Sequence, residues 1–205
     1  SSAVSYLYYA DRIYQLPLAI SGIAIGTVVL PVLSRSIASD TNERVLFLQN
    51  RSIELSIFLS APAAVGIIVG AEEIISCLFG YGSFDQESIY NTSRALIIFG
   101  FGLPAFSLLK LYSNFYFARG DTNFPFKVSV FTVAMNILIS LVFFENFGFL
   151  SIAAGTSISC WLAVFVYKFS LKKNNLHLSD SVFIERFAKI FVCSMIMGSL
   201  LYYQF

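Results

Sequence analysis

One arginine stands at the head of a long apolar segment: Arg12, in Tyr8-Tyr9-Ala10-Asp11-Arg12-Ile13-Tyr14-Gln15-Leu16-Pro17, with no other charge from Ile13 to Leu33. A guanidinium keeps its proton, so it is costly in a bilayer, and an ionisable residue in a membrane span marks a functional position by default. Its planar fork of donors suits the oxygens of a phosphate group. The competing reading is an interfacial anchor, because Arg12 lies only about 10 Å along a helix from Ser5, within snorkelling reach of the headgroups. Asp11 points about 100° away on a helix and does not neutralise Arg12 along one face. Lys110, in Leu108-Leu109-Lys110-Leu111-Tyr112, is the second basic residue inside an apolar segment. It stands about 12 Å from Ala118, so snorkelling and cavity lining both fit it. Asn136 and Ser140, one helical turn apart, and Thr156 on the next apolar segment bring polar oxygens together. Such a set binds a small cation or hydrogen-bonds helix to helix.

These residues sit in a chain of membrane composition. Of 205 residues, 57% are hydrophobic and 12% charged, and mean hydropathy is +0.76; a soluble domain carries about 25% charged residues. Cys77, Cys160 and Cys193 are scattered and odd in number, which indicates neither a disulfide framework nor a zinc site. The lone histidine, His177, lies in a polar connection, and no carboxylate pair falls within an apolar segment. Intramembrane enzyme chemistry, which needs positioned acids, bases or metal ligands, is therefore disfavoured.

A membrane-spanning helix needs about 20 mostly apolar residues. Ser5–Leu33, Ile53–Val69, Arg94–Ala118, Val128–Phe144, Leu150–Phe169 and Phe187–Tyr203 qualify, so the sequence predicts an all-α integral membrane protein with six spans. The first, third and fifth connections hold Arg35, Arg44, Arg51, Arg119, Lys127, Lys168, Lys172, Lys173, Arg186 and Lys189. The second and fourth hold Glu72, Glu73, Asp85, Glu87 and Glu145. The positive-inside rule makes the first group cytoplasmic and puts Ser1 and Phe205 on the outer side. Ser1-Ser2-Ala3-Val4-Ser5 has neither an initiator Met nor a secretory leader pattern, so the expectation is a piece of a larger protein.

Within the spans, Pro17 cannot donate to the Ile13 carbonyl, which predicts a bend after Arg12, and Pro104 marks a second kink. Gly22-Ile23-Ala24-Ile25-Gly26 is a small-xxx-small pattern that admits a neighbouring helix. Ile74–Phe79, followed by Gly80-Tyr81-Gly82, is too short to span and predicts an interfacial or re-entrant element outside. Glu54, one turn inside the second span, reads as interfacial.

The chain resembles the MurJ/MviN lipid II flippases of bacterial peptidoglycan synthesis. The resemblance rests on the block around Arg12, then on Gly26-Thr27-Val28-Val29-Leu30-Pro31-Val32-Leu33-Ser34 and Leu78-Phe79-Gly80-Tyr81-Gly82-Ser83-Phe84. Phe115-Tyr116-Phe117-Ala118-Arg119-Gly120-Asp121-Thr122, followed by Pro125 and Lys127, completes it. It implies most of the C-terminal lobe of a two-lobed, fourteen-helix transporter, with these six spans as the eighth to thirteenth helices. Residues 1–169 are then five helices of that lobe, and 170–205 a cytoplasmic connection and an accessory helix walling a lipid groove. The implied activity is alternating-access flipping of the undecaprenyl-diphosphate-linked peptidoglycan precursor across the bacterial inner membrane. A drug or oligosaccharide-lipid exporter of the same superfamily is the alternative.

By this resemblance the substrate-binding set is Arg12, Asp11, Lys110 and Gln15, with Arg12 joining arginines of the missing N-terminal lobe around the diphosphate. The implied partners are the lipid-linked precursor, membrane lipids and that lobe, with no nucleic acid. Sodium at Asn136, Ser140 and Thr156 is the one cofactor implied. Two departures stand out: relatives often carry Glu at the position of Gln15, and an acidic residue is expected near Ser140, where this chain has none.

Overall fold

The computed structural model describes residues 2–39, 42–82, 84–173 and 181–204. His177, Ser83 and the chain ends assigned to the outer side, Ser1 and Phe205, lie outside the described residues. The described chain is helical almost throughout, as a bilayer requires, because a helix satisfies every backbone N–H and C=O within itself. Its elements are α1 (Ser2–Leu18), a π-helical segment (Ala19–Ala24), α2 (Ile25–Ala38), α3 (Asn42–Val69) and α4 (Ala71–Phe79). They continue as α5 (Gln86–Ala118), α6 (Asn123–Phe147), α7 (Leu150–Lys173) and α8 (Ser181–Gln204). Six helical stretches are long and apolar enough to cross a membrane, the first comprising α1, the π segment and α2 together. All six predicted spans are present. The second begins at Glu43, ten residues before the apolar run at Ile53, because the helix continues into the polar region with its charges at the surface.

The helix ends follow local chemistry. Asp85 caps α5, accepting from the Ser88 backbone N at 2.9 Å, and these Ser88 hydrogen bonds hold its carboxyl below the usual aspartate range. Asp121 accepts from Asn123 N and Phe124 N at 3.0 and 3.1 Å and so opens α6. The turn before it needs Gly120, whose φ of 74° is unfavourable for a side-chain-bearing residue. The short element after α3 is α4, nine residues long, as its length predicts.

α5 is the central post. In its apolar window 67% of the residues are buried, against 6% for α6. It packs against α1, α2, α3, α4, α6 and α7. Leu96, Leu103, Leu111 and Phe115 are fully buried along it. Gly22 and Gly26 make the close approach their spacing predicts: a Cβ on Gly22 would stand 3.1 Å from Ser107 Cα, and one on Gly26 would collide with the Asn114 amide. α1 runs unbroken past Pro17 to Leu18, and the departure from α geometry follows directly, in the π segment. There Ser21 Oγ donates to the Pro17 carbonyl at 2.7 Å and meets Ser107 Oγ at 2.7 Å. Pro104 likewise lies inside a continuous helix, as do Pro31 and Pro62.

Two polar ties fasten the bundle at the C-terminal end of α5. Arg119 donates to the Phe115 carbonyl at 3.0 Å, and its Nη1 and Nη2 lie 2.9 and 2.8 Å from the side-chain oxygen of the fully buried Gln49 on α3, with that amide turned to accept. Tyr116 donates to Ser170 at 2.8 Å, and Ser113 meets the Tyr167 hydroxyl at 3.1 Å, joining α5 to α7. Arg119→Ala leaves the Gln49 amide buried without its partner, a loss of about 1–3 kcal/mol. Thermal unfolding of the complete protein should show that loss, with Arg119→Lys recovering only part because it lacks the fork; an unchanged melting temperature for Arg119→Ala refutes the tie.

Candidate functional site

Arg12 is exposed on α1. Its Nη2 donates to the Tyr8 hydroxyl at 3.0 Å, and its guanidinium carbon lies 4.9 Å from the Tyr8 ring centroid. Both contacts are to a neutral side chain one helical turn away, and among the described residues no carboxylate pairs with it. A cation over an aromatic face retains its charge and an outward-facing edge of donors. Asp11 is turned away, as helix geometry predicts, and accepts from Gln15 Nε2. Gln15 therefore holds the carboxylate, and the pair stands beside Arg12 rather than against it.

Aromatic packing fixes the level of this group. Tyr14 packs on Phe99 and Phe106 of α5 with ring centroids 4.9 and 5.2 Å apart. On the turn before Arg12, Tyr9 packs on Phe79 at the end of α4 (4.7 Å) and on Phe84 (5.5 Å). Leu78-Phe79-Gly80-Tyr81-Gly82-Ser83-Phe84 thus supplies the rings that buttress the helix carrying Arg12. The sequence displays those rings but not that they meet Tyr9.

Lys110 is not brought to Arg12. Tyr14 meets Phe99 and Phe106, Ser21 meets Ser107 and Gly26 faces Asn114, so α1 and α5 run in the same direction in register. At 1.5 Å per residue, Lys110 lies about 18 Å deeper than Arg12. It is exposed, without an acidic partner among the described residues, and within electrostatic reach of Cys160 on α7. Arg12 and Lys110 are therefore held at two depths, not in one cluster, and Arg94, exposed on α5 over the Tyr90 ring, is likewise without a carboxylate partner among the described residues.

Asn136, Ser140 and Thr156 are brought together. Ser140 Oγ donates to Asn136 Oδ1 at 3.0 Å, Asn136 Nδ2 to Thr156 Oγ1 at 3.1 Å, and Thr156 Oγ1 to the Ile152 carbonyl at 2.8 Å. Ser140 and Asn136 donate within the group and Thr156 to its own helix, so the Asn136–Thr156 bond ties α6 to α7. Among the described residues no group of three or more His, Cys, Asp or Glu side chains is placed to hold a metal ion.

Sequence reasoning missed two polar features. One is the Gln49–Arg119 tie; the other joins Glu54, read as merely interfacial, to Arg186 of α8 at 3.1 Å. The partners are far apart in the chain, and no local pattern links them.

With this geometry in place, comparison with known proteins is direct. A model of the family "Lipid II flippase MurJ" matches residues 1–205. A probable lipid II flippase MurJ of Rickettsia prowazekii is 35% identical over 96% of this chain and 39% of its own length. One of Rhizobium meliloti is 37% identical over 98% of this chain and 37% of its own. A solved structure, "Lipid II flippase MurJ, inward closed conformation", superposes with a TM-score of 0.85 at 29% identity, covering 98% of this chain and 41% of that one. The chain spans about two fifths of the length of the proteins it matches. Matched along its whole length by the family's description, and in fold by a member's structure, this chain belongs to the lipid II flippase MurJ family.

Proposed function

We propose that this chain supplies most of the C-terminal lobe of a transporter that moves the diphosphate-linked lipid precursor of peptidoglycan from the inner to the outer leaflet. It does this as a multi-pass protein of the bacterial inner membrane, by alternating access and not by covalent chemistry. Family membership favours this precursor over the drugs or oligosaccharide-lipids of other exporters. The observation that carries the proposal is the state of Arg12: exposed, held by neutral Tyr8 alone, and without an acidic partner among the described residues. A cation in that state needs an anion from outside the lobe, and a diphosphate offers oxygens matched to its fork.

In this reading Asp11 and Gln15, bonded to each other, orient the turn that carries Arg12. Lys110, deeper along α5, meets the headgroup at a different stage of its path. Residues 1–169 are the lobe proper, and 170–205 a cytoplasmic connection and an accessory helix that walls a groove for the polyprenyl tail. Both ends of the chain face outward. The missing N-terminal lobe provides the further cations that share the diphosphate.

In cells depleted of their own flippase, the complete protein carrying Arg12→Ala should expose at least about tenfold less precursor on the outer leaflet than wild type, at equal membrane abundance, since a charge-assisted contact contributes about 1.5–3 kcal/mol. Arg12→Lys tests whether charge suffices without the fork. Undiminished exposure with Arg12→Ala makes the arginine an interfacial anchor and removes the proposal's basis.

Sodium at Asn136, Ser140 and Thr156 finds little support where the Asn136 and Thr156 oxygens already accept hydrogen bonds from Ser140 and Asn136 and, among the described residues, no carboxylate joins them. We read the trio as a helix-to-helix knot of about 1 kcal/mol. Asn136→Leu then lowers stability equally in sodium and potassium, and wild type melts at one temperature in both. A sodium-specific rise in melting temperature reverses that reading.

A further inference from the structure

Among the described residues, α8 is joined to the bundle through a single helix. It packs on α3, whereas α7 packs on both α5 and α6. Between α8 and the α5–α7 pair, with α3 as the floor, runs an apolar groove of about 1080 Å³. Phe191 and Met195 line it from α8, Phe101 from α5, and Trp161 and Phe165 from α7, with Lys168 and Lys172 towards its cytoplasmic end. One wall of the groove thus depends on how α8 sits on α3.

That contact has two fixed points. Towards the outer end, Gly198 lies so close to Val65 that a Cβ there would collide with the Val65 side chain. At the inner end, Arg186 Nη1 is shared between Glu54 Oε1 and Oε2 at 3.2 and 3.1 Å, and Arg51 Nη1 donates to Glu54 Oε2 at 2.7 Å. The Glu54 side chain is 20% exposed, against 58% and 47% for the two arginines, so the carboxylate is the inward-facing member. Apolar packing between helices has no direction and tolerates sliding or rotation. The neighbouring Lys189–Glu185 pair lies wholly within α8 and fixes nothing across the interface. The Arg51–Glu54–Arg186 bridge is the directional contact at that end.

We infer that Glu54 is a positioning residue: its carboxylate sets the inner end of α8 against α3 and thereby the width of the groove's cytoplasmic mouth. The inference rests on the proposed reading of this groove as the path of the lipid tail. An isolated exposed ion pair holds little, but here one carboxylate separates two arginines. Removing its charge leaves Arg51 and Arg186 facing each other as like charges beside a low-dielectric bilayer. The result is repulsion, not merely a lost attraction.

The test is a distance across the groove in the complete protein, reconstituted in nanodiscs with its native cysteines replaced. Spin labels go on Phe169→Cys of α7 and Val192→Cys of α8, both exposed and neither lining the groove. Wild type should give one narrow distance, and Glu54→Gln a longer and broader distribution. The reversed bridge, Glu54→Arg with Arg186→Glu, again places one carboxylate between two arginines and should restore the narrow distance. An unchanged distribution in Glu54→Gln overturns the inference. So does failure of the reversed bridge to restore the distance in protein of wild-type abundance and melting temperature. Precursor exposure in the same variants is scored separately: a displaced α8 with undiminished exposure upholds the positioning role and overturns the groove as the tail's path.

Discussion

A guanidinium cannot shed its charge, and the bilayer makes every unpaired charge costly. That constraint orders this lobe. Elsewhere the charges near the spans lie at their ends or are bridged. Glu54 sits between Arg51 and Arg186, Arg119 is bound to Gln49 and to a main-chain carbonyl, and Glu185 holds Lys189. Arg12 and Lys110 are basic residues well inside apolar segments, and neither has a carboxylate partner among the described residues. Asp11, adjacent in sequence to Arg12, is committed to Gln15. The lobe therefore holds a cation ready for an anion while keeping the nearest acid from quenching it.

Holding that cation in place falls to a rigid partner. α1 leans on α5 through Tyr14 against Phe99 and Phe106, through Ser21 against Ser107, and through the glycines that bring the backbones close. The π segment lies within this contact, so its extra residue per turn is supported by the Ser21 hydroxyl on the Pro17 carbonyl and not left to the lipid. Such irregular turns are frequent where a helix carries function. Here the irregularity separates the half of the first span that bears Arg12 from the half that leads to α3.

The spans were legible because apolar length is a one-dimensional signal. Gly22 and Gly26 were legible as a close approach, though their partner, α5, was not. Pro17 announced an irregularity in this span, but the departure from α geometry lies in the π segment that follows Leu18, where Ser21 bonds the carbonyl of Pro17 itself. Lys110 showed the limit of sequence reading: its residue type matches Arg12, but depth along a neighbouring helix depends on the register of α1 against α5, which side-chain contacts set. Gln49–Arg119 and Glu54–Arg186 were invisible for a related reason, since each joins residues on different helices with no pattern between them.

Arg12 and Lys110 differ in depth by about 18 Å, more than half the thickness of the hydrocarbon core, which is about 30 Å. One phosphate group cannot engage both at once within this lobe. A headgroup that crosses the membrane changes depth by a comparable amount, so two cations at two levels suit a path better than a single pocket. Under the proposed function, the tail of such a lipid stays in hydrocarbon throughout and needs only an apolar wall, to which α8 on α3 is suited. Cations and apolar wall are thus carried by different helices, α1 and α5 for the first and α8 on α3 for the second.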